Sequence, residues 1–472
     1  MKGKKRSTLA AFLPVFVERI GIVNFNQKDQ QWKNNVQQVY CYFQHLLLLG
    51  FSMAHFLSTS TRSIHCLPEL MQCLIEDVWS FGMHFQVCVL VWKRKEFAEL
   101  MNSIEHSFSK VDRKVVHKDE QMVKTIVRTC FAIVGFTLIF TIVEAFYPLP
   151  ENEIRYWYNT KRPERKLPYN MKIPFIDETE HWNYKVCFVY QVYIMLIWLM
   201  MSSVTLTLVP IMSTYLIGQY TILSKYVEQL GAHHYGSNGQ EIFYINIETN
   251  EYYEYYNKTE VTQMNENPKI NYSHIQCFRR KNSKIEPQPN FESIGTAGTG
   301  TSQFSVQNSR GNYQKKYLRQ IIKFHQKLVI FQKKMTESLE PYVLIQIFAN
   351  FIIITLCLQQ LVFSTSSLTI SKLFKFIGEF FVYIAQCYYW CHCSDLLDDC
   401  NTMLCRSITN SQWIKCDRDT KKDICMIIRR TQRSNLLRFN QGAIALNRQH
   451  FFKVVKIAYS FVNVMLSERR RE

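Results

Sequence analysis

The chain has 472 residues, 47% of them hydrophobic and 14% aromatic, with net charge +18 and mean hydropathy −0.14. That is enough apolar material for a large core or for several membrane spans. The charge would suit nucleic acid or an anionic membrane face, but no finger, Gly-rich or aromatic-basic module is present, which excludes nucleic acid as a partner.

The opening "MKGKKRSTLAAFLPVFVERIG" imitates a signal peptide, yet its apolar stretch contains Pro14 and is closed by Glu18 and Arg19. Residues 1–34 are therefore expected to be a cytoplasmic amphipathic segment. Seven stretches then approach the ~20 apolar residues that a bilayer-crossing helix needs. They are expected near 38–58, 67–92, 124–147, from 184 past Pro210, 341–364, 369–392 and 443–466. The first four spans make one block, 35–234. Residues 235–312 follow as a polar insert rich in Gly, Ser, Asn and Tyr, without sustained periodicity, and read as a disordered cytoplasmic loop. The remaining block, 313–472, holds the last three spans and two charged amphipathic helices near 313–340 and 416–434, expected as a cytosolic helical anchor. The fold class is thus an all-α membrane protein with seven transmembrane helices.

Basic residues set the direction. Seven precede the first span: Lys2, Lys4, Lys5, Arg6, Arg19, Lys28 and Lys33. The loop after the second span opens with Lys93, Arg94 and Lys95, and nine more lie between Arg406 and Arg438. The loop after the first span holds only Arg62, and 151–180 balances six bases with six acids. The amino terminus is expected inside and the carboxyl terminus outside, in the plasma membrane. Arg469, Arg470 and Arg471 run against this pattern. A metabotropic seven-helix receptor requires the opposite orientation, and a transporter would show paired broken helices.

Catalysis and metal chemistry find no support. No nucleophile–base set or phosphate loop stands at readable spacing, so no enzyme and no cofactor is expected. The 15 cysteines lie largely within apolar runs and do not form a secreted disulfide framework. The cluster Cys391, His392, Cys393 lacks a second pair, so it reads as helix packing and no metal site is expected.

Three blocks resemble the insect odorant receptor family. The first is "IIKFHQKLV" around His325. The second is "GEFFVYIAQCYYWCHCSDLLDDCNTMLCRSITNSQW", from Gln386 to Trp413 at the family's spacing. The third is "IIRRTQRSNLL" followed by "LNRQHFFKVVKIAYSF". Ser394 stands where a glycine is usual, and Ser407-Ile408 replaces Ala-Tyr. A gustatory receptor, the alternative, would end in a Thr-Tyr…Gln-Phe pattern, whereas Ala458-Tyr459 and Met465-Leu466 stand here. The resemblance implies a ligand-tuned subunit of a tetrameric cation channel in membrane lipid. It would be gated by a small volatile odorant, be assembled with the odorant co-receptor, and have its pore lined by the last helix.

On a helical wheel Val455, Tyr459, Val462 and Leu466 share one narrow face, the expected hydrophobic gate. Lys453 lies almost opposite, and Lys456 and Asn463 on a flank. Arg448 returns to the gate face about 27 Å below Leu466. The ligand pocket is expected among the outer halves of spans two, three, four and six. Its candidates are Trp79, Phe136, Phe140, Tyr190, Trp198 and Tyr383. Three acids at one depth, Glu76, Asp77 and Glu379, add two readings. They could bind an amine, which places Glu379 in the site, or Lys375 could pair with Glu379 one turn along its own helix.

Overall fold

The computed structural model describes residues 31–65, 67–146, 165–236, 238–256, 277–281, 302–363 and 370–469. Among them, nine α-helices dominate: α1 Gln31–Thr61, α2 Leu67–Trp92, α3 Arg94–Asn102, α4 Arg113–Glu144, α5 His181–Glu228, α6 Ser302–Phe363, α7 Ile370–Asn410, α8 Arg418–Thr431 and α9 Arg448–Arg469. Four of them, α2, α4, α5 and α6, are long and apolar enough to cross a membrane. Much of the apolar surface also faces outward. Val36, Val39, Phe43 and Leu46 on α1 and Ile133, Phe136 and Ile139 on α4 are exposed. Stripes of that size meet lipid more readily than water.

Helix starts and stops follow local chemistry. Asp112 caps α4, its carboxylate accepting from Lys114 N at 3.0 Å and Val115 N at 3.1 Å. After α5 the chain turns sharply at Gly231, φ 78°, against the Gln412 carbonyl. A side chain there would be strained and would also collide.

Two prolines sit inside long helices, and each frees a carbonyl one turn earlier. Pro210 lies within α5, and the freed Leu206 carbonyl accepts from Trp390 Nε1 of α7 at 3.3 Å. Pro341 lies within α6, and the freed Glu337 carbonyl accepts from Lys93 Nζ at 2.9 Å. Both breaks are thus closed by a neighbouring element, which lets α5 run for 48 residues and α6 for 62.

The expected anchor helix at 313–340 and fifth span at 341–364 form one continuous helix, α6. The sixth span likewise continues to Asn410. These extensions build a second bundle with the last turns of α5 and with α8. Its centre is apolar: Leu216, Leu223, Tyr317, Leu328, Leu397 and Ile424 are all buried. Polar groups there are used as ties. Tyr317 donates to the Tyr226 carbonyl at 2.8 Å, and Ser394 Oγ accepts from Leu437 N at 2.8 Å.

The insert departs from its expected disorder. β1 Ile242–Asn246, β2 Glu251–Tyr256 and β3 Cys277–Lys281 form an antiparallel three-stranded sheet, β1-β2-β3. Aromatic and β-branched side chains supply the strand preference. What holds the sheet is tertiary. Ile242 and Ile247 are buried, Tyr313 of α6 accepts from Tyr244 N at 3.1 Å, and Gln320 accepts from Ile247 N at 3.0 Å. None of these partners is adjacent in sequence. Residues 302–312 also belong to α6 rather than to a loop. Residues 257–276, which contain the sequons Asn257-Lys258-Thr259 and Asn271-Tyr272-Ser273, residues 282–301 and residues 1–30 lie outside the described residues. A short β4–β5 hairpin, Arg438–Phe439 with Ile444–Ala445, precedes α9.

Candidate functional site

A cavity of about 100 Å³ opens between α2, α4, α5, α6 and α7, away from the sheet and α8. Its walls are unlike. Trp79, Tyr169 and Tyr383 supply aromatic faces, and Thr141, Ser202 and Gln386 supply polar groups. α4 contributes Val134, Thr137, Leu138 and Thr141 because these positions share one face at helical spacing.

An ionic cluster lies at one end. His55 places Nδ1 2.6 Å from Asp77 Oδ1 and Nε2 3.0 Å from Glu76 Oε2. Both ring nitrogens face carboxylate oxygens, so both carry protons and the ring is an imidazolium. Lys375 of α7 crosses to Glu76 at 2.8 Å and stands 3.9 Å from Glu144. Lys166 reaches Glu144 at 3.4 Å. Gln72 Nε2 donates to Glu76 at 2.6 Å. The Lys375–Glu379 pair considered from spacing is therefore replaced by an interhelical one. Lys375 joins α7 to α2 and α4, and Glu379 keeps one shielded oxygen, Oε2, without a hydrogen-bond partner among the described residues.

The other end carries amides. Gln346 Nε2 donates to Asn350 Oδ1 at 2.8 Å and approaches Gln386 Oε1 at 3.4 Å, and Gln86 donates to Gln346. Among the described residues, Gln386 Nε2 and Ser202 Oγ find no hydrogen-bond partner. Buried polar atoms are normally paired, so their grouping around one cavity marks the place where a ligand would be held.

Among the sequence candidates, Trp79, Glu379 and Tyr383 line the cavity. Trp198 is 3% exposed and stands one layer behind, edge-on to Trp79 with centroids 4.6 Å apart and to Tyr169 at 5.4 Å. Tyr190 donates to the Leu47 carbonyl at 2.6 Å, tying α5 to α1. Phe136 is 71% exposed on the outer face of α4, and Phe140 is half-buried off the cavity. Tyr169, Ser202, Gln346 and Gln386 were not singled out from the sequence. The signal was there for the last two, which are amides inside long apolar runs.

Tyr383 belongs to two environments. It lines the cavity, and it packs in a small core with Ile353, Phe376 and two residues of α9, Val454 and Ala458. Val454, Ala458 and Val462, at i, i+4, i+8, are the side of α9 buried within the chain. Of the expected gate face, Val462 is 3% exposed, Tyr459 is 61% exposed, and Val455 and Leu466 are half-buried. The face is therefore turned partly toward the bundle and partly outward. Arg448 Nε lies 3.4 Å from Asp395 at the start of α9.

Metal-type groupings do occur. His45, His84 and Cys88, and separately His55, Cys73 and Glu76, bring their ligand atoms within 4.8 Å of one another. In the second set His55 and Glu76 are already paired. The Cys391-His392-Cys393 cluster is not among the groupings: both cysteines are buried in the core and His392 stacks on Tyr388.

The 7tm Odorant receptor family matches residues 67–459, most of the chain. The chain belongs to this family. As a member it is a multi-pass membrane protein and a receptor rather than an enzyme. The fold is similar to that of the insect olfactory receptor OR5 from Machilis hrabei, with TM-score 0.64 and 10% identity over 97% of this chain and 99% of that one. A second structure of that receptor, in complex with eugenol, aligns with TM-score 0.59 and 11% identity over 97% and 99%. No curated protein matches the sequence. At such low identity the shared property is the fold, and the side chains of the cavity are this receptor's own. Ser394 and Ser407, which depart from the family pattern, both have partners: Ser394 the Leu437 amide, Ser407 the Glu228 carboxylate at 3.1 Å.

Proposed function

We propose that the chain is the odorant-binding subunit of a ligand-gated cation channel in the plasma membrane. A small volatile ligand occupies the cavity, and the pore forms where α9 of this subunit meets its neighbours. The observation that carries this is the double placement of Tyr383, one wall of the cavity and one member of the core that buries Val454 and Ala458 of α9. A ligand pressing on that ring changes the packing of α9, and packed cores respond by switching between discrete arrangements. The eugenol complex of a receptor with the same fold supports a ligand role for the helix bundle.

In this reading the chain crosses the membrane seven times, with its amino terminus inside, and the bundle of α6, α7 and α8 is the cytosolic anchor. Val455, Tyr459 and Leu466 turn toward the axis, and Val462 links that face to the subunit interior. Three further subunits, including the odorant co-receptor, complete the ring. The exposed polar side of α9, with Lys453, Lys456 and Asn463, lies at the subunit boundaries.

The test is current recording in cells expressing the chain with and without a co-receptor. Tyr383→Ala should abolish odorant-evoked current while leaving the protein at the surface. Leu466→Ala should raise basal current or change ion selectivity. Normal odorant responses in Tyr383→Ala would end the coupling argument, and silence at every α9 position would remove the pore assignment.

A further inference from the structure

We propose that the preferred ligand of this cavity is a small primary amine, bound as its ammonium ion on Glu379. The proposal rests on the reading of the cavity as the odorant site and adds the ligand's chemical class. Charge balance leads to it. Among the described residues, imidazolium His55 and Lys375 offset Asp77 and Glu76, and Lys166 offsets Glu144. Glu379 shares the cavity with Glu76, and among the described residues no cation forms an ion pair with it within 4.0 Å, although Lys375 lies one turn away on the same helix. Its Oε2 is shut from solvent and has no hydrogen-bond partner among the described residues. An unmatched carboxylate in a low-dielectric site strongly favours an incoming cation that can donate hydrogen bonds.

The walls agree with a cation. Trp79, Tyr169 and Tyr383 present rings around the same space, and aromatic faces attract ammonium groups. Lys375 already lies over the Tyr169 ring at 5.9 Å. That lysine is drawn away from Glu379 by Glu76 at 2.8 Å, so it leaves Oε2 open to a second cation. Size narrows the class. The cavity measures about 100 Å³, below the roughly 150 Å³ of an apolar cavity that admits benzene. A branched aliphatic amine of a few carbons fits that space, with its alkyl part toward Val134 and Leu138.

The experiment compares isobutylamine with isobutanol, which has the same carbon skeleton and no charge, on cells expressing the receptor with the co-receptor. Isobutylamine should activate at a concentration at least about tenfold lower, roughly 1.4 kcal/mol of preference. Glu379→Gln keeps the shape and removes the charge. It should raise the half-maximal concentration for the amine at least tenfold and that for isobutanol by much less, so that the amine preference collapses. Glu379→Asp, which keeps the charge, should retain the amine preference in weakened form and guards against a folding defect in the glutamine variant. Trp79→Ala separates the two levels of the argument. If it shifts isobutanol responses while wild-type receptor does not prefer the amine, the cavity stands and the amine falls. If neither ligand is affected by Trp79→Ala, the cavity itself is misassigned. An unchanged amine response in surface-expressed Glu379→Gln overturns the proposal directly.

Discussion

The two ends of the long helices are built for different solvents. Around the cavity, α4 and the first half of α5 turn Phe136, Ile139, Val186, Val189 and Leu196 outward, while Glu76, Lys375, Glu379 and Gln386 point inward. In the second bundle the order reverses. Leu216, Leu223, Tyr317, Leu328 and Ile424 fill the interior, and Lys333, Lys334 and Glu337 are exposed. The same helices carry both patterns, so the boundary between lipid and water falls part-way along them. The difference also divides the labour. The second bundle is held by apolar packing that excludes alternatives. The cavity end is held by charges whose partners come from other helices.

Removing the central charge should break the cavity end most severely. Lys375→Met leaves Glu76 and Glu144 buried beside each other with one fewer cation. Breaking a buried ionic cluster at one member costs about 3–5 kcal/mol. The expected outcome is retention of the protein inside the cell, read by surface biotinylation. Lys375→Met with Glu76→Gln should recover part of the surface signal, since the second change removes one of the stranded charges. If the single variant reaches the surface normally, the cluster does not hold the helices together.

The second bundle has a different weak point, at the sheet. His234 is enclosed by Tyr244, Tyr313 and Tyr317, with centroid distances of 5.3, 5.7 and 4.6 Å. Burial pulls its imidazole down to about 4, and His233 and Glu241 are the neighbouring titratable groups. The unfolded ring titrates near 6.5, so between about 6.5 and 4 the open state binds more protons than the folded one. Stability from this site is complete above about 6.5 and is lost as pH falls toward 4. The full loss is about 3 kcal/mol. Protection factors over 242–256, taken against the intrinsic amide exchange rate at each pH, should fall on acidification through that window, and His234→Phe should flatten the dependence. Protection factors that are indifferent to pH would mean the ring is hydrated in the folded protein.

How far the sequence could be read follows from this division. Long apolar periods were enough to place the helices, because that signal is local. The residue types in "IIKFHQKLV" and the last helix carried the family resemblance. Strands β1 and β2 were not legible, since their anchors Tyr313 and Gln320 lie some seventy residues away in α6. The cavity was legible in part. Trp79 and Tyr383 stood out as aromatics inside spans, but the wheel could not tell an inward ring from an outward one, and Phe136 was chosen on the same grounds. Nor could spacing decide between Lys375–Glu379 and Lys375–Glu76. The first lies one turn away on the same helix, and the second depends on where α2 and α7 cross.

Phe136 gives the smallest and most discriminating effect. It lies on α4 one residue before Thr137, a lining residue of the cavity, yet it is 71% exposed on the outer face. If the outer solvent is lipid, Phe136→Ala exchanges one apolar surface for another. No buried contact with the cavity is lost, so the half-maximal odorant concentration should move less than about twofold, roughly 0.4 kcal/mol. Phe136→Lys tests the solvent itself. On a water-facing surface it would be as silent as alanine. In a bilayer a lysine at mid-helix costs about 2.5–3.5 kcal/mol on insertion scales, which would appear as reduced surface delivery. Val134→Ala, on the opposite side of the same helix turn, should change ligand response more than Phe136→Ala. A Phe136→Ala variant with altered ligand response and a tolerated lysine would place this ring inside the site and turn α4 by about half a revolution.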